Sequence, residues 1–356
     1  MKKVLVLGGT GAIGVPLVRQ LAEKGFIVHV TSRKQHTSED RIKYIQGNAH
    51  DLEFMSKLLK EAVYDVIVDL MIYSLPEFEE RAEMLLKATK QYIFISSARV
   101  YAFSEGLLTE ESPRLLETCS DKEYLATNEY AIRKAKEENI LLGSSNKNWT
   151  IIRPSLTYNT ERLQSPLDEK EGWLYRALHG LTVFFPSDLS DVMTTMTFGD
   201  DVSAAISKLV DNPKAMGEIV HIAGAAPVTW GEVYDIYLKA LEKENIHPKV
   251  KYFDDSKTVS AVAGNIYQYK YARSISRVFD NSKLFSIIGE MEFTGAEEGL
   301  TKCVREFVKG KQTFGRIHAR LFGYYDRLAK EKTPLKAFGS ARDKLVYILY
   351  RRIKRG

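Results

Sequence analysis

Tyr130 and Lys134 stand four residues apart in a stretch, residues 124–142, whose pattern predicts a helix. Residues at that spacing share one helix face, with Cβ atoms about 5–6 Å apart. A lysine ammonium so close to a phenol stabilises its phenolate form, and the tyrosine can then exchange a proton with an alcohol or a carbonyl. Ser97 ends a predicted strand and would hydrogen-bond the same oxygen. The spacing alone also fits an ordinary solvated helix surface.

A glycine run near the start of the chain suggests what such a set would work with. Residues 8–14 read GGTGAIG, directly after the apolar stretch 4–7 and before a predicted helix over 14–24. A strand that leads into a glycine turn and a helix presents backbone N–H groups and a positive dipole end to a pyrophosphate. Glycine turns also serve plain packing. The Ser, Tyr and Lys that follow in this order favour a dinucleotide site.

The end of the second predicted strand, residues 27–31, bears on which dinucleotide is bound. An acidic residue there bonds the adenosine ribose hydroxyls, whereas an arginine accommodates a 2′-phosphate. This chain has Ser32 in the acidic position and Arg33 beside it. The pair favours NADP, with NAD as the alternative cofactor if Arg33 is only a solvated surface residue.

The elements that would position these groups alternate between strand and helix, which implies a parallel sheet covered on both faces. We expect a Rossmann-type, doubly wound α/β fold, a smaller α/β substrate-binding domain and a basic helical C-terminal tail. The predicted strands are 3–7, 27–31, 41–46, 66–70, 92–96, 149–153 and 218–222, and the predicted helices are 14–24, 52–61, 78–88, 124–142, 200–209 and 229–243.

Length and cysteine content limit the classes of protein to which the chain can belong. At 356 residues the chain exceeds the roughly 250–300 residues at which single cores stop growing, so two domains are expected. Two cysteines, Cys119 and Cys303, are too few for a disulfide framework, and no Cys/His cluster has metal-ligand spacing. The apolar run after Met1 stops at Gly8, unlike a signal peptide. We therefore expect a cytoplasmic protein without a metal.

Positive charge is concentrated in the last part of the chain. Residues 314–356 hold twelve Lys or Arg against three Asp or Glu, a net charge of +9, which leaves −4 for the remainder of a chain whose total is +5. A mildly acidic main body argues against nucleic-acid binding by the catalytic part.

Further motifs occur in a consistent order over residues 1–308. With them the chain resembles the extended short-chain dehydrogenases/reductases, a branch of NAD(P)-dependent nucleotide-sugar epimerases, dehydratases and reductases. The motifs, besides the glycine run and Tyr130-x-x-x-Lys134, are GNAHD (47–51), DVIVDL (65–70), SSARVY (96–101), IIRP (151–154), FGDDV (198–202), GEIVHI (217–222), FDNSKL (279–284) and EGL (298–300).

The resemblance implies a catalytic set of Ser97, Tyr130 and Lys134, in which Tyr130 is the acid/base, Lys134 activates it and holds the nicotinamide ribose, and Ser97 polarises the substrate oxygen. Tyr130 and Lys134 would also contact the cofactor. The other implied cofactor-binding residues are Gly8, Thr10, Gly11, Ala12, Ile13, Gly14, Ser32, Arg33, Asn48, Ala49, Leu70, Met71, Ile72 and Pro154. The candidate substrate contacts are Tyr73, Ala98, Arg99, Leu156 and Thr157.

Departures from the family pattern narrow the set of reactions that the chain is expected to catalyse. Dehydratases of this branch carry an Asp-Glu pair directly after the strand-end Ser/Thr, where this chain has Ala98 and Arg99, which argues against dehydration. Leu156 replaces a usual asparagine. In one interpretation Asp69 and Tyr73 reach the substrate. In the other, Asp69 is a strand-end carboxylate bonded to the backbone. Residues 103–123 are expected to form an acidic surface loop beside the pocket.

Two enzymatic functions and one non-catalytic function remain open. A nucleotide-activated sugar is epimerised, in a pathway of cell-surface polysaccharide precursors, or it is reduced with NADPH to a deoxysugar or alditol. The rival is a non-catalytic, cofactor-binding or RNA-associated relative. We expect no nucleic-acid partner and a homodimer. The expected domains are 1–155 with 193–225 for the cofactor, 156–192 with 226–312 for the nucleotide sugar, and 313–356 as a basic amphipathic extension.

That extension has two interpretations. Ile317, Leu321, Tyr324, Tyr325 and Leu328 recur at helical spacing, and the apolar run 345–350 meets the basic run 351–355. The stripe packs on the second domain and leaves its charges in water, or the segment attaches to an anionic membrane leaflet or a partner enzyme there.

Overall fold

The computed structural model describes residues 1–224 and 226–352, and the chain divides into two compact units. The first unit comprises Met1–Thr157, Thr195–Ala225 and Val278–Thr294, and the second comprises Tyr158–Thr194, Ala226–Arg277 and Gly295–Gly356. The basic run predicted to end the tail lies partly outside the described residues, since residues 353–356 are not among them.

Strands and helices alternate over the first unit, as the sequence predicts. Strands β1–β13 are, in chain order, Lys3–Leu7, Ile27–Ser32, Ile42–Gln46, Tyr64–Asp69, Thr89–Ile95, Trp149–Pro154, Leu156–Tyr158, Val183–Pro186, Met193–Thr194, Met196–Phe198, Glu218–Ile222, Val228–Thr229 and Val250–Phe253. Helices α1–α15 are Gly14–Glu23, Leu52–Glu61, Leu75–Lys87, Leu115–Thr118, Lys122–Ala126, Tyr130–Gly143, Trp173–Leu178, Gly199–Leu209, Trp230–Glu242, Ser256–Ala263, Ile266–Gln268, Ser282–Ile288, Ala296–Lys309, Ala319–Ala329 and Ala341–Arg352.

Seven strands of the first unit form one parallel sheet in the order β11-β6-β5-β4-β1-β2-β3. Alternate residues of β1 point to opposite faces: Val4 and Val6 pack with α1 and α8, whereas Leu5 and Leu7 pack with α2, α3 and α6. The predicted Rossmann-type fold is confirmed. The strand order reverses between β1 and β4, which is where such sheets bind a ligand, outside the carboxyl ends of their strands.

The predicted helix over 124–142 is divided in the structure. A short helix, α5, ends at Ala126, and α6 begins at Tyr130. The Glu129 carboxylate caps the second helix by accepting from the Ala131 N–H. Apolar residues at helical spacing lie on both sides of the polar segment 127–129, so periodicity alone does not show the break, and the Glu129 cap marks where the second helix begins.

The predicted acidic surface loop over 103–123 is partly wrong. Leu108, Glu110 and Arg114 of this segment are buried, and α4 lies within it. Arg114 Nη1 donates to Glu138 of α6 at 3.0 Å, so the segment contributes charges to the interior of the first unit.

In the second unit, the C-terminal helices α14 and α15 pack on each other and on α7. Ile317, Phe322 and Tyr347 are buried there beside Tyr175. Arg176 of α7 and Asp326 of α14 are both fully buried, with Arg176 Nη1 2.8 Å from Asp326 Oδ1. Most of the predicted apolar stripe therefore packs inside this unit. In the part of the chain that the structure describes, none of the helices has the length and apolar character needed to cross a bilayer.

Candidate active site

The glycine run forms a tight turn between β1 and α1. Gly8 has a positive φ of 73°, a backbone conformation that favours glycine, and a Cβ on Gly14 would lie 2.5 Å from the Gly9 carbonyl carbon. Nothing lies closer than 3.9 Å to the place of a Cβ on Gly11. Among the described residues no side chain caps the N-terminus of α1. The turn thus offers space and uncapped helix amides, which fit a pyrophosphate.

The end of β2 carries the residues that would select the cofactor. The Ser32 hydroxyl accepts from the Lys34 N–H at 3.2 Å and lies 3.0 Å from His36 Nε2. Arg33 and Lys34 are exposed, and the His36 ring stacks on Tyr44 with centroids 4.8 Å apart. A hydroxyl, two cations and an imidazole at one strand end form a donor set that fits a phosphate, and none of these side chains is acidic.

The remaining predicted cofactor residues follow the carboxyl ends of neighbouring parallel strands. Asn48 is exposed and Ala49 is buried, after β3. Leu70, Met71 and Ile72 follow β4, and the Met71 sulfur lies 2.9 Å from where a Cβ on Gly8 would be. Thr10, Ala12 and Ile13 lie in the glycine turn and Pro154 ends β6. Registers such as Leu7 with Asp69 bring these strand ends to one edge of the sheet.

Asp69 and Tyr73 belong to the interior of the first unit. Asp69 is fully buried and accepts hydrogen bonds from the Met71 N–H at 3.0 Å, the Tyr92 hydroxyl at 2.8 Å and the Tyr73 hydroxyl at 3.3 Å. Burial raises the pKa of Asp69, and these hydrogen bonds oppose the rise. Arg81 covers the Tyr73 ring at 4.4 Å. Tyr73 is 1% exposed, so its expected role as a substrate contact is not met by this geometry.

Ser97 lies two residues beyond β5, at the same sheet edge. Its side chain accepts from the Arg99 N–H at 3.2 Å and so caps the short 3₁₀ turn Ala98–Val100. Ser97 is 9% exposed and Ala98 is 5% exposed. Leu156 and Thr157 lie in β7, where the Thr157 hydroxyl donates to the Ser155 carbonyl.

Arg99 connects the turn that carries Ser97 to the helix that carries Tyr130. Arg99 Nη2 donates to Glu129 Oε1 at 2.5 Å, while Glu129 Oε2 accepts from the Ala131 N–H and from the Tyr124 hydroxyl. The Arg99 guanidinium also lies over the Tyr130 ring, 5.4 Å from its centroid. This single side chain therefore holds the strand end against the first turn of α6.

Lys134 lies on α6 one turn after Tyr130 and is almost completely buried. Its Nζ forms an ion pair with Glu137 Oε2 at 2.9 Å and lies 4.4 Å above the Phe94 ring. Burial raises the pKa of Glu137, and the neighbouring Lys134 ammonium opposes the rise. The pair keeps the lysine charge inside the unit, beside the helix face that carries Tyr130.

A second buried ion pair fixes α6 on the sheet. Glu138 is fully buried and accepts from Arg153 Nη2 of β6 at 2.7 Å, from the Ser96 hydroxyl at 2.5 Å and from Arg114. Because one carboxylate bonds groups from β6, from the 103–123 segment and from Ser96, the residue directly after β5, it sets the position of α6 relative to the strand ends. Two cations share the charge of Glu138, as a buried carboxylate requires.

Sequence reasoning missed several residues of this site: Glu129, Arg133, Glu137 and His36. Arg133 and Glu137 stand three and seven residues after Tyr130, on its helix face, so the spacing could have found them. Glu129 gave no comparable signal, because glutamate is not among the residues preferred at a helix N-cap. Among the residues that the structure describes, no group of His, Cys, Asp or Glu side chains is arranged to hold a metal.

A family model described as the NAD dependent epimerase/dehydratase family matches residues 4–223. The chain is 29% identical over 276 residues to the chloroplast stem-loop binding protein of 41 kDa b from Arabidopsis thaliana, covering 72% of this chain and 68% of that one. It is 25% identical over 238 residues to 2′-dehydrokanamycin reductase from Streptomyces kanamyceticus, covering 65% of each.

The fold is similar to that of a solved NAD-bound enzyme. Superposition on dTDP-glucose 4,6-dehydratase from Bacillus anthracis, a structure in complex with NAD, gives a TM-score of 0.68 with 18% identity, covering 88% of this chain and 99% of that one. At this identity the likeness shows the fold.

Proposed function

Because this chain belongs to the NAD-dependent epimerase/dehydratase family, we propose that it is an NAD(P)-dependent nucleotide-sugar epimerase or reductase that acts at a secondary alcohol or ketone. The observation that supports this most is the junction of Ser97 and Tyr130, tied by the Arg99–Glu129 ion pair at the sheet edge that carries the glycine turn. Precursors of cell-surface polysaccharides are the proposed substrates.

Each residue of the set has a part in the proposed reaction. A bound nicotinamide supplies the hydride acceptor or donor. Ser97 donates a hydrogen bond to the substrate oxygen, and Tyr130 exchanges a proton with the same oxygen. Lys134, whose ammonium forms an ion pair with Glu137, would hold the nicotinamide ribose one helical turn after Tyr130. Epimerisation and net reduction need the same residues and differ in whether the hydride returns to the substrate.

The test is a panel of nucleotide sugars incubated with NAD(H) and NADP(H). The products are separated by liquid chromatography that resolves epimers and then analysed by mass spectrometry, because an epimer has the same mass as its substrate. Deuterated cofactor distinguishes the two reactions, because only net reduction consumes it in proportion to the product. We expect product from at least one nucleotide sugar. The absence of both epimerised and reduced product with every member of the panel, in protein that binds cofactor, would refute an enzymatic role.

We propose NADP as the preferred cofactor, with NAD as the alternative, and this preference can be tested at one residue. Arg33→Ala is expected to weaken NADP(H) binding by about 10- to 100-fold and NAD(H) binding far less, because a charge-assisted hydrogen bond to phosphate contributes about 1.5–3 kcal/mol. The measurement is a fluorescence titration with both cofactors. Arg19→Gln, at an exposed arginine of α1, is the control. Equal losses for both cofactors would make Arg33 an ordinary surface residue.

A second candidate comes from the Arabidopsis thaliana relative, whose name describes stem-loop binding. In this alternative the chain would bind cofactor or RNA without turnover. The retained Ser, Tyr and Lys argue against it, and so does the mildly acidic main body. The nucleotide-sugar panel distinguishes this alternative from the enzymatic function when a stem-loop RNA is titrated in parallel. Turnover supports the enzyme, and RNA binding without turnover supports the alternative.

We also propose a homodimer in the cytoplasm, with peripheral attachment of the tail to an anionic membrane or to a partner enzyme there. What supports the attachment is the exposed side of α15, where Leu345 is 69% and Leu349 is 53% exposed, with Arg342 and Arg352 at helical spacing around them. Each basic residue at an anionic surface contributes about 1 kcal/mol, so attachment would be reversible and weakened by salt.

Sedimentation with anionic vesicles tests the tail. The wild-type protein is expected to sediment at low salt and to be released at high salt, whereas the double variant Leu345→Ser/Leu349→Ser remains in the supernatant because it lacks the apolar anchor. Neutral vesicles serve as the control. Equal behaviour of the two proteins, or no sedimentation of either, would leave α15 as a purely structural helix.

A further inference from the structure

Two guanidinium groups lie beside the ring of Tyr130. Arg99 Cζ is 5.4 Å and Arg133 Cζ is 5.7 Å from the ring centroid. One arginine comes from the turn after Ser97 and the other from α6 itself. Two cations from different elements therefore meet at Tyr130, the residue that exchanges the proton in the proposed reaction.

The carboxylates nearby lie closer to other cations than to Arg133. Glu129 is committed to Arg99 by a hydrogen bond of 2.5 Å, and Glu137 is committed to Lys134 at 2.9 Å. Arg133 Nε is 3.8 Å from Glu137 Oε1, too far for a hydrogen bond. Burial raises the pKa of Glu137, which makes its negative charge harder to maintain. Lys134 also interacts with the charge of the buried Asp69 carboxylate, so Arg133 is the least compensated of the three cations.

Both arginines are partly withdrawn from water. The Arg99 side chain is 24% exposed and that of Arg133 is 21% exposed. The Nε atoms of both are buried and have no hydrogen-bond partner among the described residues. A buried donor without a partner is costly, and so is a partly desolvated cation whose charge is not closely paired. A bound anion beside the partly exposed ends of these guanidinium groups would offset this charge.

We propose that the substrate carries a carboxylate close to the carbon at which Tyr130 exchanges its proton, and that Arg133, with Arg99, binds it. The inference rests on the proposed function. In a nucleotide-activated sugar the phosphates sit on the anomeric carbon, so an anion on the reacting part of the sugar is a carboxylate, as in a hexuronic acid. Guanidinium groups match the planar geometry of a carboxylate. The same positive charge disfavours cationic amino sugars.

The experiment measures binding rather than turnover, so that it does not depend on the reaction. Tyr130→Phe keeps the aromatic ring, and full-length protein with this substitution is loaded with cofactor and titrated calorimetrically with UDP-glucuronic acid, UDP-glucose, free glucuronate and free glucose. We expect the acidic member of each pair to bind at least about tenfold more tightly than the neutral one.

Arg133 is the residue to change, because Arg99 also holds the Ser97 turn. In the same background, Arg133→Gln is expected to weaken binding of the acidic ligand by about 10- to 100-fold and to change that of the neutral ligand by less than about threefold. Arg133→Lys should retain an intermediate preference, and Arg19→Gln should have no effect.

The proposal is overturned if neither pair of ligands shows tighter binding of the acid. It is also overturned if Arg133→Gln weakens binding of the acidic and the neutral ligand equally, because that is the behaviour of a residue that only positions α6. Its failure is distinct from that of the proposed function. Selective uronate binding through Arg133, without epimerised or reduced product from the wild-type protein, refutes the enzymatic role alone. Turnover that is indifferent to sugar charge refutes the acidic substrate alone.

Discussion

Tyr130→Phe is expected to lower turnover by at least about 100-fold, while the protein folds and binds cofactor as before. The substitution removes only the hydroxyl that exchanges the proton. The ring remains beside Arg99 and Arg133, and the Glu129 cap of α6 does not involve the hydroxyl. Initial rates with the best substrate of the nucleotide-sugar panel measure the loss, and cofactor titration checks the binding.

A tyrosine outside the site provides the matched control for this experiment. Tyr252 of β13, in the second unit, is 52% exposed, and Tyr252→Phe removes the same kind of hydroxyl from an exposed tyrosine. Its turnover should equal that of the wild-type protein. If Tyr130→Phe retained comparable activity, Tyr130 would not be the acid/base and the proposed catalytic set would have to be abandoned.

The sheet and its switch point were predictable because they depend on patterns that repeat along the chain. Short apolar runs separated by amphipathic segments indicate a parallel sheet, and the glycine run marks its first turn. The alternation of Val4 and Val6 with Leu5 and Leu7 between two helical layers follows from strand geometry alone. None of this requires knowledge of contacts between distant residues.

The interior of the site could not be predicted in the same way. Glu138 gathers Arg153, Arg114 and Ser96 from separate segments, and the sequence gives no sign of which charges will meet. The acidic composition of 103–123 suggested a solvated loop, whereas Glu110 and Arg114 are buried there. A charge is usually exposed unless it finds a partner, and the partner is fixed only by the tertiary structure.

Tyr73 illustrates the opposite error. A polar residue shortly after a strand end was expected to face a ligand, yet its hydroxyl bonds Asp69 and its ring is covered by Arg81. The family position suggested a substrate contact, but local packing determines where the side chain points. Arg99 stays a proposed substrate contact, but its sequence position did not indicate that it also donates to Glu129 and lies over the Tyr130 ring.

The largest stability effect is expected from the C-terminal extension. Asp326→Ala should lower the free energy of unfolding by about 3–5 kcal/mol, the cost of leaving one partner of a buried ion pair without the other. Asp326 accepts from Arg176 Nη1 at 2.8 Å, from the Tyr347 hydroxyl at 2.7 Å and from the Thr333 N–H at 2.6 Å. All of these donors lose an acceptor in the interior of the second unit.

Urea unfolding with far-UV circular dichroism measures this loss. Asp254→Ala is the matched control, since Asp254 is an exposed aspartate of the second unit, and its loss should change the transition far less. An Asp326→Ala transition equal to that of the wild-type protein would mean that α14 is only loosely held. If the expected loss is found, truncation after Gln312 must likewise remove Asp326 and Glu331 from Arg176, and it also removes the apolar residues of α14 and α15 that pack on Tyr175. Truncated protein would then be destabilised whatever its membrane affinity, and substitutions at Leu345 and Leu349, on the exposed side of α15, are the changes that test attachment alone.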